Sequence, residues 1–134
     1  MKEKINATIK FREDFRPFAP AVLEESAEEF FVNGISSPFM TLTFDVREEK
    51  RSQIASITHV DGTARIQTVS AKTNPRFHRL IAEFEKITGI PMIINTSFNV
   101  KGQPIVNTPR DAVSTFYMTG IDYLILGDYV LAKK

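Results

Sequence analysis

Three groups of residues in this chain have the types and spacing to handle an anion. The first is Lys10, Arg12 and Arg16. An extended run over residues 8–12 would point Lys10 and Arg12 to one face. Two cations held side by side repel, and charge-assisted hydrogen bonds to a phosphate would offset that repulsion. Arg16 stands just before Pro17, in a stretch stiffened by Pro17 and Pro20. The plain alternative is a solvated edge strand whose cations pair with Glu13 and Asp14. The second group is His59-Val-Asp-Gly-Thr-Ala-Arg65. Gly62 allows close backbone approach to a ligand. Thr63 and neighbouring N–H groups can hold a phosphate, and Arg65 can clamp it as a fork. The alternative is an ordinary hairpin turn with a surface ion pair. The third group is Asn95-Thr-Ser-Phe-Asn99, a cluster of small polar residues after an apolar run. Ligands in open α/β sheets collect at carboxyl ends of strands. Asn95, Ser97 and Asn99 offer both donors and acceptors, suited to a planar carbamoyl group or to a nucleotide. The alternative is a loop whose side chains satisfy its own backbone.

None of the groups contains an evident nucleophile. Together they suit chemistry done by positioning and by charge stabilisation on phosphate. The loop after Asn95 is not a Gly-x-x-x-x-Gly-Lys phosphate loop. No second histidine lies near His59 to suggest a metal site, and His78 falls on the polar side of a helix.

The elements that must carry these residues are readable in part. Ala21–Leu23 reads as a short buried strand, and Glu24–Phe31 as an acidic helix ending near Asn33-Gly34. Phe39–Val46 alternates and is rich in β-formers, so it is expected to be a strand. Ile54–Val60 is expected to be a second extended stretch, and Ala64–Val69 a strand after the Asp61-Gly62 turn. Asn74 caps a helix opened by Pro75, with Phe77, Leu80, Ile81, Phe84 and Thr88 on one face and Gly89 at its end. Pro91–Asn95 is an apolar strand. Thr108, Pro109 and Asp111 spell a second helix start with a capping box, closed by Gly120. Tyr123–Leu126 and Tyr129–Ala132 flank a Gly127-Asp128 turn. The mixed order of strands and helices predicts an α/β (mixed α+β) class, with a twisted, largely central mixed sheet flanked by helices.

The 134 residues fit one domain, 1–134. Lys plus Arg number 17 against 16 Asp plus Glu, so there is no broad basic face for nucleic acid. Cysteine is absent, which excludes disulfides and a thiolate zinc site and fits a cytoplasmic protein. No run approaches the ~20 apolar residues of a membrane span, and the polar start is no signal peptide.

Longer strings carry a resemblance. Ile5-Asn-Ala, Lys10-Phe-Arg-Glu13, Phe15-Arg-Pro-Phe-Ala-Pro20, Thr58-His-Val-Asp-Gly-Thr-Ala-Arg-Ile-Gln67, Asn95-Thr-Ser-Phe-Asn99 and Gly102-x-Pro-Ile-Val106 resemble the C-terminal domain of the O-carbamoyltransferases of antibiotic and nodulation-factor biosynthesis. The Lys10-x-Arg12…Ser97-x-Asn99 pattern resembles that of the YrdC-like fold. The resemblance implies a domain that binds ATP, with Mg²⁺, and carbamoyl phosphate, and that makes carbamoyl-adenylate. It implies Lys10, Arg16 and Arg65 as the reacting-phosphate cations, and Arg12, Ser97 and Asn99 on the carbamoyl side. His59, Asp61, Thr63 and Asn95 would line the nucleotide side, with no metal-ligand set in this chain. The expected partner is an N-terminal sugar-kinase/Hsp70-like domain holding iron or another metal. A Gly-Pro-Arg-Ala-Leu-Gly-Asn-Arg stretch that the family carries upstream does not occur here, so an incomplete anion pocket is expected. The alternatives are a non-catalytic anion-binding or scaffold module, and threonylcarbamoyl-adenylate synthesis for tRNA.

Overall fold

The structure, a computed structural model, describes residues 1–13 and 15–133. The pairing expected for Asp14 therefore lies outside the described residues. The chain forms two compact units. One joins Met1–Arg16 to the chain from Ser97 onward, and the other is Pro17–Thr96.

The contiguous unit is built on a three-stranded sheet. Strand β1 (Ala19–Leu23) is central and wholly buried. It pairs antiparallel with β5 (Met92–Asn95), Ala19 facing Asn95 and Val22 facing Met92. On its other side it runs parallel to β4 (Gln67–Val69), from Ala21 onward. Proline lacks the N–H a central strand needs, and Pro20 sits one residue before β4 joins, where the strand still has one open side. Helix α3 (Pro75–Thr88) covers this sheet. Asn74 caps it by accepting from the Phe77 N–H, and Gly89 ends it in the left-handed region at φ 73°. Ile81 is fully buried and packs with Ala21, Leu23 and Val69, with Phe77 and Ile93 at the margin. Leu80 and Phe84, expected on the same buried face, are exposed. His78, on the polar side of this helix, has a partner: its Nε2 lies 2.7 Å from Glu25 Oε1.

The rest of this unit is a small two-stranded sheet with turns. Strand β2 (Thr43–Asp45) pairs antiparallel with β3 (Thr63–Arg65). The expected strand over Phe39–Val46 is shorter, because Met40 turns the chain at φ 55° and leaves Phe39 exposed. The acidic stretch after β1 is a 3₁₀ turn (Glu24–Ser26) running into the short helix α2 (Ala27–Phe30). The extended stretch expected at Ile54–Val60 does not form. Arg51–Ile57 is a run of turns, linked by bonds such as Ile57 N–H to Ile54 O. Ile54 and Ile57 are buried three residues apart, a helical rather than strand spacing. Over Ala64–Thr68 the alternation holds, with Ala64, Ile66 and Thr68 buried, and it ends at Val69, which is buried in the core as well. The strand nevertheless changes sheet at Ile66, β3 pairing with β2 and β4 with β1.

The other unit packs helix α4 (Pro109–Met118) on a hairpin of β6 (Tyr123–Leu126) and β7 (Tyr129–Ala132). The capping box is present in full: Thr108 Oγ1 accepts from the Asp111 N–H, and Asp111 accepts from the Thr108 N–H. Ala112 and Phe116 bury against Leu124, with Phe98, Val106 and Leu131 around them. Before Arg16 the chain makes one α turn, α1 (Lys2–Ile5), and then a π turn, Asn6–Lys10. The class is thus mixed α+β, with the expected sheet divided into three small ones. Among the described residues no helix is long and apolar enough to cross a membrane.

Candidate functional site

The joined unit gathers five of the expected site residues, and it does so by an unexpected route. Residues 8–12 are not extended, because Asn6–Lys10 is wound as a π turn. The chain then bends sharply at Phe11, which holds left-handed angles of φ 49° and ψ 49°. A non-glycine residue there is strained by about 1–2 kcal/mol. Asn6, with no exposed surface, holds the bend. Its backbone oxygen accepts from the N–H groups of Phe11 and Arg12. Its Oδ1 accepts from Arg12 Nε at 2.7 Å, and its Nδ2 donates to Arg16 O at 3.1 Å. One buried amide therefore sets where Lys10, Arg12 and Arg16 leave the backbone. π turns of this kind recur at functional sites.

Lys10 is buried, 5% exposed. Its ammonium faces four acceptors: Ser97 O at 2.7 Å, Asn99 Oδ1 at 2.8 Å, Asn99 O at 2.9 Å and Ser97 Oγ at 3.3 Å. An ammonium has three protons, so its donors are fully occupied by the 97–99 loop. The loop is also braced internally, with Ser97 Oγ donating to Asn99 Oδ1 at 2.6 Å and Asn99 Nδ2 to Gln103 O at 2.9 Å. The Lys101 N–H returns to Lys10 O at 3.2 Å. Lys10 thus shapes the pocket wall by pinning Ser97 and Asn99. Burial lowers its pKa from the ordinary 10.5, and the charges of Arg12 and Arg16 lower it further. Arg12 is lowered too, by burial first and by Arg16 second.

These groups enclose an open pocket of about 250 Å³, lined by Lys10, Arg12, Arg16, Ser97, Asn99 and Lys101 among others. Among the described residues, four cations and no carboxylate line it. Glu13 stands beside it, with Oε1 accepting from Lys101 Nζ at 2.8 Å and Oε2 3.9 Å from Arg16 Nη1. The hydrogen bond from Lys101 holds the Glu13 carboxyl below its ordinary pKa. Sequence reasoning missed Asn6 and Lys101. Asn6 lay in a quoted string, but its meaning depends on burial. Lys101 was visible only as one more cation after the polar cluster.

The remaining five expected residues belong to the contiguous unit. Asp61 Oδ1 accepts from the Thr63 N–H at 3.0 Å and from Thr63 Oγ1 at 2.8 Å. With that proton committed, Thr63 Oγ1 accepts from His59 Nδ1 at 3.0 Å, which sets the histidine tautomer. The His59 N–H also bonds Thr63 O at 2.7 Å. These side chains close the turn on itself. Gly62 (φ 82°) lies against the Arg51 guanidinium. Arg65 is exposed on β3. Asn95 Nδ2 donates to Gln67 Oε1 at 2.6 Å, tying the end of β5 to β4. Among the described residues, no group of three or more His, Cys, Asp or Glu could hold a metal ion.

The sequence was compared with known proteins. It is 49% identical over 136 residues to the nodulation protein NolNO of Sinorhizobium fredii, covering 99% of this chain and 20% of that protein. It is 48% identical over 136 residues to nodulation protein NolO of Bradyrhizobium diazoefficiens, covering 99% of this chain and 25% of that protein. It is 37% identical over 127 residues to the 3′-hydroxymethylcephem-O-carbamoyltransferase of Streptomyces clavuligerus, covering 95% of this chain and 24% of that enzyme. The chain therefore spans about a fifth to a quarter of the length of these relatives. The family model described as the carbamoyltransferase C-terminus matches residues 1–133, and the chain belongs to that family.

Proposed function

We propose that this chain binds ATP and carbamoyl phosphate and forms carbamoyl-adenylate, for transfer of the carbamoyl group to a substrate hydroxyl. The observation that carries the reading is the pocket itself, where among the described residues Lys10, Arg12, Arg16 and Lys101 line the wall and no carboxylate does, in a chain of a carbamoyltransferase family. Like charges are held together at a cost in repulsion, which a bound phosphate would offset. Arg12 and Arg16 are the forks to hold the phosphate. Ser97 and Asn99, fixed by Lys10, are placed to orient a planar carbamoyl group through hydroxyl and amide. Arg65, His59, Asp61, Thr63 and Asn95 serve the nucleotide in this proposal. Mg²⁺ would arrive with ATP, ligated chiefly by phosphate and water, its usual mode.

Transfer to the acceptor belongs, in this proposal, to an N-terminal sugar-kinase/Hsp70-like domain with its own iron or other metal. The greater length of the relatives is consistent with that division. A cytoplasmic location fits, because ATP is its substrate. Calorimetric titration of the chain with ATP–Mg²⁺ and, separately, with carbamoyl phosphate tests the reading. Arg16→Met should weaken binding of carbamoyl phosphate by about 1.5–3 kcal/mol, the size of a lost hydrogen bond to a charged group. Ser97→Ala should weaken it less. A folded chain that binds neither ligand, or binds both regardless of these substitutions, overturns the proposal.

A further inference from the structure

Lys10 gives all its protons to the 97–99 loop, so an entering anion must be met by the other cations of the pocket. Two of these already have a carboxylate. Glu13 takes a direct bond from Lys101 at 2.8 Å and lies 3.9 Å from Arg16. Both partners line the pocket and Glu13 does not. The three side chains are about half exposed. Exposed ion pairs of this kind contribute little net stability. A phosphate offers more oxygens and more charge than one carboxylate, and its hydrogen bonds to Arg and Lys are charge-assisted on both sides.

We propose that Glu13 is a displaceable internal counter-ion: without ligand it holds Lys101 and Arg16, and a phosphate dianion entering the pocket takes both cations from it. The inference rests on the anion-binding reading above and deepens it in two ways. It makes Lys101 a ligand-binding residue. It also gives the pocket a threshold, since an anion must out-compete a carboxylate already present. A dianion does so readily, and a monocarboxylate such as acetate offers no advantage over Glu13. The backbone supports an exchange of partners rather than a collapse. The Lys101 N–H stays tied to Lys10 O whatever its side chain does, and the loop it belongs to is pinned by Lys10. The cost of closing the pocket on a ligand is then confined to two side chains.

The test is titration with inorganic phosphate, and with acetate, at fixed pH and ionic strength. It uses the wild-type chain, Glu13→Gln, Lys101→Met and the double variant, with thermal midpoints as the control for folding. Glu13→Gln should tighten phosphate about three- to five-fold, the scale of one surface ion pair given up. It should also narrow the preference for phosphate over acetate. Lys101→Met should weaken phosphate, and in that background the gain from Glu13→Gln should largely vanish. A gain that survives Lys101→Met would mean Glu13 acts only through the general field, and the counter-ion reading falls. Unchanged or weaker phosphate binding by a folded Glu13→Gln also overturns it, making Glu13 a prop for the loop. If wild type and Glu13→Gln both ignore phosphate, the anion-binding reading and this inference fail together.

Discussion

Replacing Lys10 by Met separates a residue that grips ligand from one that builds the wall. Met nearly matches the length of the side chain but carries no donor. In the structure the substitution strips the 97–99 loop of an ammonium that meets Ser97 O, Asn99 O and Asn99 Oδ1 at 2.7–2.9 Å. A buried acceptor left without a donor costs about 1–3 kcal/mol. Ser97 is exposed and Asn99 half-buried, so water can serve part of the set. Against the loss stands the relief of a buried charge and of its repulsion from Arg12 and Arg16. We expect a net loss of about 2 kcal/mol, near one unsatisfied acceptor, or roughly 6–10 °C in melting temperature for a chain of this size. Amide hydrogen exchange should localise that loss to residues 97–103. The pH dependence has a defined sign. The Lys10 pKa is lowered in the folded chain, so between that value and 10.5 the unfolded chain holds more protons. The stability of wild type relative to Lys10→Met should therefore rise with pH across that window and level off above it. Lys10→Arg should not restore the loop, because a planar fork does not fit a cage built around a point charge. An unchanged melting temperature and unchanged exchange, with only ligand affinity lost, would refute the reasoning and return Lys10 to the ligand.

Two other substitutions test the scaffold. Thr108→Ala removes half of the α4 capping box and should destabilise the chain by about 1 kcal/mol in thermal unfolding; because the hydrogen bond from Thr108 lowers the Asp111 pKa, the box should stabilise above the ordinary 3.8 and lose its effect as pH falls through the lowered folded value. Gly62→Ala would set a Cβ 2.7 Å from Arg51 Nη2 at a backbone φ of 82°, and a melting curve should show a loss of at least about 1 kcal/mol with Arg51 displaced.

What could be read from the sequence was what is decided locally. Helices α3 and α4 start where Asn74-Pro75 and Thr108-Pro109 place them, because a cap and a proline act over one turn. The β6–β7 hairpin follows from Gly127-Asp128 between two apolar runs. Tertiary partners decided the rest. The alternation gave burial correctly from Ala64 to Thr68 but not at Val69, and nothing in it could tell that the strand changes sheet at Ile66. The cation group was legible by residue type, but its geometry was not. Strand spacing put Lys10 and Arg12 together for a reason that does not hold. The cause is a π turn and a left-handed Phe11 secured by Asn6, whose weight as a buried amide appears only once the chain is folded. The role of Lys10 depended on residues 87 and 89 positions away.

That separation bears on the order in which the protein can be made. The pocket draws on the first sixteen residues and on residues after 96, so during synthesis Lys10, Arg12 and Arg16 emerge long before the loop that will receive Lys10. The intervening unit, Pro17–Thr96, is contiguous and can fold as it leaves the ribosome. Its first and last strands in sequence close the gap: Ala19 of β1 pairs with Asn95 of β5, so the chain enters and leaves this unit side by side. Once that ladder forms, the entropy of bringing Lys10 to Ser97 is set by a few residues on either side rather than by the whole intervening chain. The insertion acts as a clasp that turns a long-range meeting into a local one.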